Sequence, residues 1–519
     1  MTRFLPCKTW KTISLSAILF FCLNQTGVYA AGVGSVFFSF PDEWQKAKEK
    51  EIESKREIEG APARVEKKQR KSSPFRSKPK NFMDWRLSGN VLNRAYFDTV
   101  VNDEFEGTYA LHSWYTVENK IRFPRHDVAG FVSFDARGDI AGNGKSRGKF
   151  VPLLQEAYIE AKRSGLRVRL GRQDITWGKL DDFTLLDIVN PQDYTESLLI
   201  DKQTRKIPVL MAKIDYFAGN GQYVETFFAP WFKPNKIDFF GSDWAIFSYL
   251  KEDTEKGNYT QAIKDMVDGI RIEDGDELDN SLANFETGVR FGGRSRDYDY
   301  SFYYMYIHER VPTLNNDSGL SDTIRELLYN PSAAALTALA AAGPTTDDLK
   351  LNANYNRMHV LGGDFETTIG ELGVRGEIGL FLSPGYLTND FSLTERSTMS
   401  VGIGIDHITA DDLYLNFQFI EDIILNYEGL YGAEQFGHQL VGTVSKEFLR
   451  GKLVPAFYFG YNFSYKDYFM NPKISYTFSG PAGAFILTAG AFFFEGKPNT
   501  VLGRYDKNDL FYTEAEYKF

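Results

Sequence analysis

The chain has 519 residues, of which 25% are charged and 15% aromatic, with a formal net charge of −10. A net negative charge argues against nucleic acid as a partner, and beyond residue 30 no apolar run is long enough for a transmembrane helix. Length alone would suggest two or three soluble domains, but 43 Phe, 29 Tyr and 45 Gly spread through short alternating segments are the profile of a membrane β-barrel.

The chain opens with Arg3, Lys8 and Lys11, an apolar run from Ile13 to Leu23, and the small-residue exit Val28-Tyr29-Ala30. This three-part layout predicts a secretory signal over 1–30, cleaved after Ala30. Cys22 follows Phe20-Phe21 rather than a small residue, so no lipid anchor is expected. Cys7 and Cys22 would leave with the signal, and stability would then rest on a continuous backbone hydrogen-bond network rather than on disulfides. Residues 31–85 form a charged periplasmic segment ahead of the barrel. Within it, Glu43 to Glu59 reads as a helix laced with opposite charges three or four apart, and Lys67 to Lys80 is basic and broken by Pro74 and Pro79. A solvated tail, a lumen plug and a docking arm for a periplasmic partner all remain open for 41–80.

From residue 86 to the last residue, period-two alternation picks out strands at 86–97, 109–122, 127–138, 150–162, 166–177, 209–217, 222–233, 285–293, 298–311, 353–368, 371–383, 397–409, 411–424, 436–448, 452–465, 472–479, 484–495 and 509–519. The fold class is therefore all-β, a transmembrane antiparallel barrel of about 18 strands, an even number as a bacterial barrel requires. Every second link is tight, with turn chemistry at Ser164-Gly165, Asn220-Gly221, Gly370 and Arg450-Gly451. The links between are read as longer and polar, which places both termini in the periplasm. Three outer links exceed a simple loop: 178–208, the acidic 234–284 with Asp253, Glu255, Asp274, Asp276, Glu277 and Asp279, and 312–352 with a helix over Ser332 to Ala342 closed by Gly343-Pro344.

Alternation also assigns faces. Leu166, Val168 and Leu170 look to lipid while Arg167 and Arg169 look into a watery lumen, where charge escapes the penalty it would meet on the lipid side. The same parity turns Lys120, Arg122, Arg137, Lys213, Arg290 and Arg375 inward, with Glu118, Asp135, Glu156, Glu160, Asp215, Glu286, Asp364, Glu366 and Glu377. Opposed bands of charge would screen permeants; the same residues could equally pair to hold the wall. Counting back in twos from Phe519, Tyr517, Ala515, Thr513 and Phe511 make an apolar face. It resembles the C-terminal signal strand of bacterial outer-membrane barrels, which implies that Tyr517 and Phe519 are read by the barrel assembly machinery.

The run G-R-Q-x-x-x-W-G from Gly171 to Gly178, followed by Asp187-Ile-Val-Asn-Pro-Gln-Asp193, resembles a porin-like Gram-negative outer-membrane barrel family of unknown function, related to alginate-export barrels. The match covers roughly 166–195. It implies a strand rising into a loop that folds back at the mouth, anchored by Arg172, Asp174, Trp177, Asp187, Asn190 and Asp193. With Arg167, Arg169 and Asp182 these make up the expected pore lining and constriction. Arg172 paired with Asp174 or Asp187 could also simply staple the loop. None of the six histidines falls in a catalytic or metal-ligand spacing, and G-x-S-x-G is absent, so no enzyme activity, cofactor or metal is expected. The expectation is an outer-membrane channel or transporter for a small or polar solute, with outer-membrane lipid as its surroundings and homo-oligomerisation left open. The alternative is a scaffold or export conduit occupied by its N-terminal arm or by a periplasmic partner.

Overall fold

The computed structural model describes residues 83–99, 109–123, 126–142 and 151–519, apart from 182, 201, 248–249, 252–253, 255–256, 275–280, 296, 331 and 481–482. The expected signal, nearly all of the charged segment, Asp182 and the acidic Asp253, Glu255, Asp276, Glu277 and Asp279 lie outside the described residues.

Eighteen strands form one sheet. They are β1 (Asp84–Asp98), β2 (Tyr109–Phe123), β3 (Val128–Gly142), β4 (Val151–Arg163), β5 (Leu166–Gln173), β6 (Val209–Phe217), β7 (Gln222–Ala229), β8 (Glu286–Arg294), β9 (Tyr298–His308), β10 (Arg357–Ile369), β11 (Leu372–Leu382), β12 (Thr398–Ile408), β13 (Leu413–Ile424), β14 (Phe436–Lys446), β15 (Leu453–Asn462), β16 (Asp467–Gly480), β17 (Gly483–Glu495) and β18 (Leu510–Lys518). Each pairs antiparallel with its neighbours in sequence, and β1 pairs with both β2 and β18, so the sheet closes on itself. Closure leaves no strand edge unpaired, the condition for a sheet to sit in hydrocarbon. The seam is finished by Phe519 and Gly89, which exchange backbone bonds of 3.0 and 3.1 Å.

The period of two sorts the side chains as the wall needs. Leu166, Leu170, Ile159, Phe134, Ile403 and Ile405 are exposed on the outside. Ser400, Gly402 and Gly404 between them face inward and are buried. Aromatics mark both rims of the apolar band: Trp85, Phe217, Tyr298, Phe478, Tyr517 and Phe519 near the short turns, Phe97, Tyr109, Phe436 and Phe511 near the long links. Such girdles are where amphipathic rings meet the lipid headgroups.

Several strands differ from the sequence expectation by four residues or more at one end: β3 runs on to 142 instead of 138, β7 stops at 229 instead of 233, β10 starts at 357 instead of 353, and β5 and β16 differ for reasons that bear on the lumen and the wall. β5 leaves the wall after Gln173 instead of running to 177, because the chain there turns into the lumen. β16 starts at Asp467 instead of 472, taking in Pro472. A proline cannot donate to a ladder, and the pairing with β17 is interrupted between Met470–Phe493 and Lys473–Gly490 and resumes in the same register, so the ladder gives way only locally at Pro472. The outer link between β15 and β16 is in consequence only residues 463–466, an exception to the rule of long outer links.

The long links build a second body over the mouth. It contains α1 (Gln261–Asp268), α2 (Ser321–Tyr329) and α3 (Ala333–Ala342), and a three-stranded sheet of 313–315, 350–354 and 271–274. On α2, Ile324, Leu327 and Leu328 are fully buried at spacings of three and four, the stripe of a helix with one apolar face. Ser332 caps α3 by accepting the Ala335 N–H at 3.1 Å, and Gly343 ends it at φ 62°, a left-handed conformation suited to glycine. These helices and Phe232, Phe247, Leu314, Leu351 and Phe391 form an apolar core of their own, separate from the one inside the barrel.

Candidate functional site: the loop folded into the lumen

Residues 174–208, between β5 and β6, cross the barrel and bond to the wall on its far side. Glu377 on β11 is the main anchor. Its buried carboxylate accepts the backbone N–H groups of Lys179, Leu180 (2.7 Å), Leu185 (2.7 Å) and Leu186 (3.2 Å). One side chain thereby satisfies four donors that would otherwise be stranded away from water, each costing about 1–3 kcal/mol if left unpaired. Gly178 is shaped by the same contact: at φ +100° a Cβ would stand 2.5 Å from Glu377 Oε1.

Further bonds fix the loop beside Glu377. Arg375 pairs with Asp181, with Glu366 at 3.2 Å and with Asp406 at 3.2 Å. Lys179 Nζ reaches Glu366 at 2.9 Å. Asn416 donates to Asp181 at 2.7 Å, and Gln418 accepts the Phe183 N–H at 3.0 Å. Trp177 is 1% exposed; its indole N–H donates to Glu225 at 3.1 Å and its ring lies 5.4 Å from those of Phe227 and Tyr303. On the other side of the lumen Arg94 donates to the Leu199 carbonyl at 2.6 Å, His112 bridges Asp139 and Glu196, and Arg137 pairs with Asp193. Leu180, Phe183, Leu185, Leu186, Val189 and Leu198 fill the space between with apolar side chains.

The two ends of the loop are tied together near the wall. Asn190 accepts the Ile175 N–H at 2.9 Å and donates to the carbonyls of Gln173 and Ile207. Asp187 meets Lys206 at 2.7 Å, a pair in which both side chains are 1% exposed. Asp193 also accepts from Thr195, at 2.6 Å from its hydroxyl. The anticipated pairing of Arg172 with Asp174 or Asp187 is not the one that forms. Arg172 donates to the Gln155 carbonyl at 2.6 Å, and the Asp174 N–H goes to Glu156 at 3.3 Å.

Below the loop the inner wall carries a chain of ion pairs running from strand to strand. Glu160 on β4 meets Arg169 on β5 at 2.8 Å, and Arg167 meets Asp215 on β6 at 2.6 Å. Lys213 joins Asp215 (3.0 Å) to Glu225 on β7 (3.5 Å), and Arg290 on β8 reaches Glu225 at 3.3 Å. Arg167 and Arg169 thus both lie in the lumen and both have carboxylate partners. Glu377, Arg375, Gln418 and Lys206 carry much of the site without belonging to the Gly171–Asp193 motif. For the wall residues Glu377, Arg375 and Gln418 the signal in the sequence was parity alone, which marks a residue as inward but cannot say that it meets a loop about 200 positions away; Lys206 lies in the loop itself, where parity gives no signal.

None of the curated proteins matches this chain. Among solved structures, Pseudomonas aeruginosa OccK5 (OpdH) is similar at 8% identity and a TM-score of 0.46, over 84% of this chain and 97% of that one. Pseudomonas aeruginosa OccD3 (OpdP) is similar at 8% identity and 0.43, over 83% and 90%. The outer membrane channel DcaP of Acinetobacter baumannii is similar at 9% identity and 0.38, over 85% and 99%. The model of a family described as protein of unknown function (DUF1302) matches residues 78–395, from just before β1 into the link after β11, and the chain belongs to that family.

Proposed function

We propose that this barrel is an outer-membrane channel of the porin kind, passing a small solute through a lumen narrowed by residues 174–208. The observation that carries the reading is the anchoring of that loop on the opposite wall through Glu377. A loop held by four backbone bonds to a strand it does not adjoin sets the free cross-section at one level of the pore. The paired charges from Glu160 to Arg290 support it, since a wall of alternating sign replaces part of a permeant's hydration without binding it so tightly that it cannot leave. Arg167, Arg169, Arg172, Asp174, Trp177, Asp182, Asp187, Asn190 and Asp193 are its proposed lining and loop anchors. Delivery to the outer membrane, removal of residues 1–30 and reading of Tyr517 and Phe519 by the assembly machinery belong to the same proposal.

The test is single-channel conductance of the folded barrel in a planar bilayer, measured with and without residues 31–82. Steady conductance supports the channel. Arg169→Ala, which leaves Glu160 without its 2.8 Å partner, is then expected to shift reversal potential toward cation preference. Silence in both forms, with folding verified by heat-modifiable gel migration, would sink the reading.

A further inference from the structure

At the long-link end of the lumen, a cavity of about 200 Å³ lies between the inserted loop and the body over the mouth. Phe183 and Ile188 come to it from the loop, Phe247 and Leu314 from the outer links, and Tyr386 and Leu387 from the link after β11. Four separate segments thus converge on one space with aromatic and aliphatic side chains. The charged groups on its wall are engaged with the protein itself. Arg310 donates to the carbonyls of Ile188, Lys233 and Val189 and to Glu286. Lys202 donates to the Asp181 carbonyl at 3.1 Å, Arg205 to Gln192 at 3.1 Å, and Asp187 is held by Lys206. Glu309 accepts the Gly385 N–H at 2.8 Å, and burial pushes its carboxyl up to about 8, so that it is largely uncharged at neutral pH.

A cavity of this size is suited to one ring: an engineered cavity of about 150 Å³ lined by Leu, Ile and Phe takes up benzene. A charged or sugar-like ligand would bring its own polar groups into a space whose charged groups are already engaged with the protein, and would lose hydration with little replacement. We propose that this cavity is a binding site for an uncharged, apolar molecule of single-ring size, captured at the mouth before it enters the lumen. The proposal deepens the channel reading and rests on it for the direction of passage, while the binding itself does not depend on conductance.

The probe is fluorobenzene, followed by ¹⁹F NMR with the barrel held in amphipol, beside fluorobenzoate and a fluorinated glucose. The result expected is saturable, one-site fluorobenzene binding, at least about tenfold tighter than either competitor. Thr184→Trp, which fills the cavity from the half-exposed Thr184 on its wall, is expected to abolish saturation. Tyr386→Ala enlarges the space and is expected to admit fluoronaphthalene; it carries the test if the first variant does not fold. Uptake that stays linear and equal in all variants, or tighter binding of fluorobenzoate, overturns the proposal. A barrel that conducts without binding fluorobenzene overturns this site and leaves the channel standing. One that binds and does not conduct supports the site and overturns the channel.

Discussion

The inserted loop and the body over the mouth are both made of links between strands, yet they are held by opposite means. Residues 174–208 are fixed by polar groups on particular wall positions, Glu377, Arg375, Asn416 and Gln418, that act at bond distance and in one geometry. The outer body is fixed by a shared apolar core in which Ile324, Leu327, Leu339 and Leu351 are wholly buried. Directional bonds specify a position to within an ångström, whereas apolar burial stabilises in proportion to area and tolerates rearrangement. A pore needs its narrowest point held by the first means; a cover over the mouth can use the second.

Glu377→Ala is the sharpest way to break this contrast. It strands four N–H groups in the lumen and is expected to cost on the order of 3–5 kcal/mol in the anchoring of the loop, in the range seen when one partner of a buried charged contact is removed. The expected readout is larger, noisier conductance and new trypsin cleavage after Lys179 or Lys202, with the barrel's heat-modifiable migration retained. A protected loop in that variant would show that the apolar contacts of Leu185 and Leu186 suffice alone.

Leu327→Ala tests the other side. Truncating a fully buried leucine costs about 2–5 kcal/mol, depending on how far the site collapses. The loss is expected within the outer body, seen as faster hydrogen exchange over 313–354, while exchange over 174–208 stays as it was. Equal acceleration in both segments would mean that the two bodies unfold as one.

The smallest effect expected is a dependence on pH at their junction. Glu309 has its carboxyl raised by burial to about 8, against 4.5 when exposed. The folded state therefore binds the extra proton between these values, and stability is complete below about pH 4.5 and declines as pH rises toward 8. Thermal melts of the outer body from pH 5 to pH 8 are expected to fall with pH, and Glu309→Gln is expected to flatten that slope. A slope unchanged in the variant would assign the effect to another group.

The barrel wall was legible in the sequence because its rule is local. Residues such as Met399 to Ile405 alternate lipid-facing and lumen-facing without regard to any distant partner, and tight turns such as Ser164-Gly165 punctuate them. The rule failed where a second constraint overrode it. The alternation of Asp174-Ile175-Thr176-Trp177 continues past β5 because these residues are sorted between polar anchors and an apolar lumen core, so the pattern persists although the strand has ended. Near the start of β16, Pro472 looks like a boundary by chemistry, and only the local gap in the pairing with β17 shows how it is carried inside a strand. Within the loop, the residues that form the motif were visible from its resemblance to a known barrel family, but their partners were not. Asp187 finds Lys206 and Arg172 finds a carbonyl, choices made by the fold of the loop and not by proximity along the chain.

The Glu377 anchor has a consequence for how such a barrel can diversify. The loop belongs to β5 and β6, while its attachment points lie on β11 and β13, across the lumen. Altering the loop to suit another solute without matching its landing sites would leave acceptors or donors buried and unanswered. Substitutions at Lys179 and Asp181, whose side chains meet Glu366, Arg375 and Asn416, should thus be tolerated or rejected according to what stands at those wall positions, as should proline at 180, 183, 185 or 186, where it would remove an N–H that Glu377 or Gln418 accepts; a paired mutational scan would record epistasis there between residues that share no strand, no turn and no nearness in sequence.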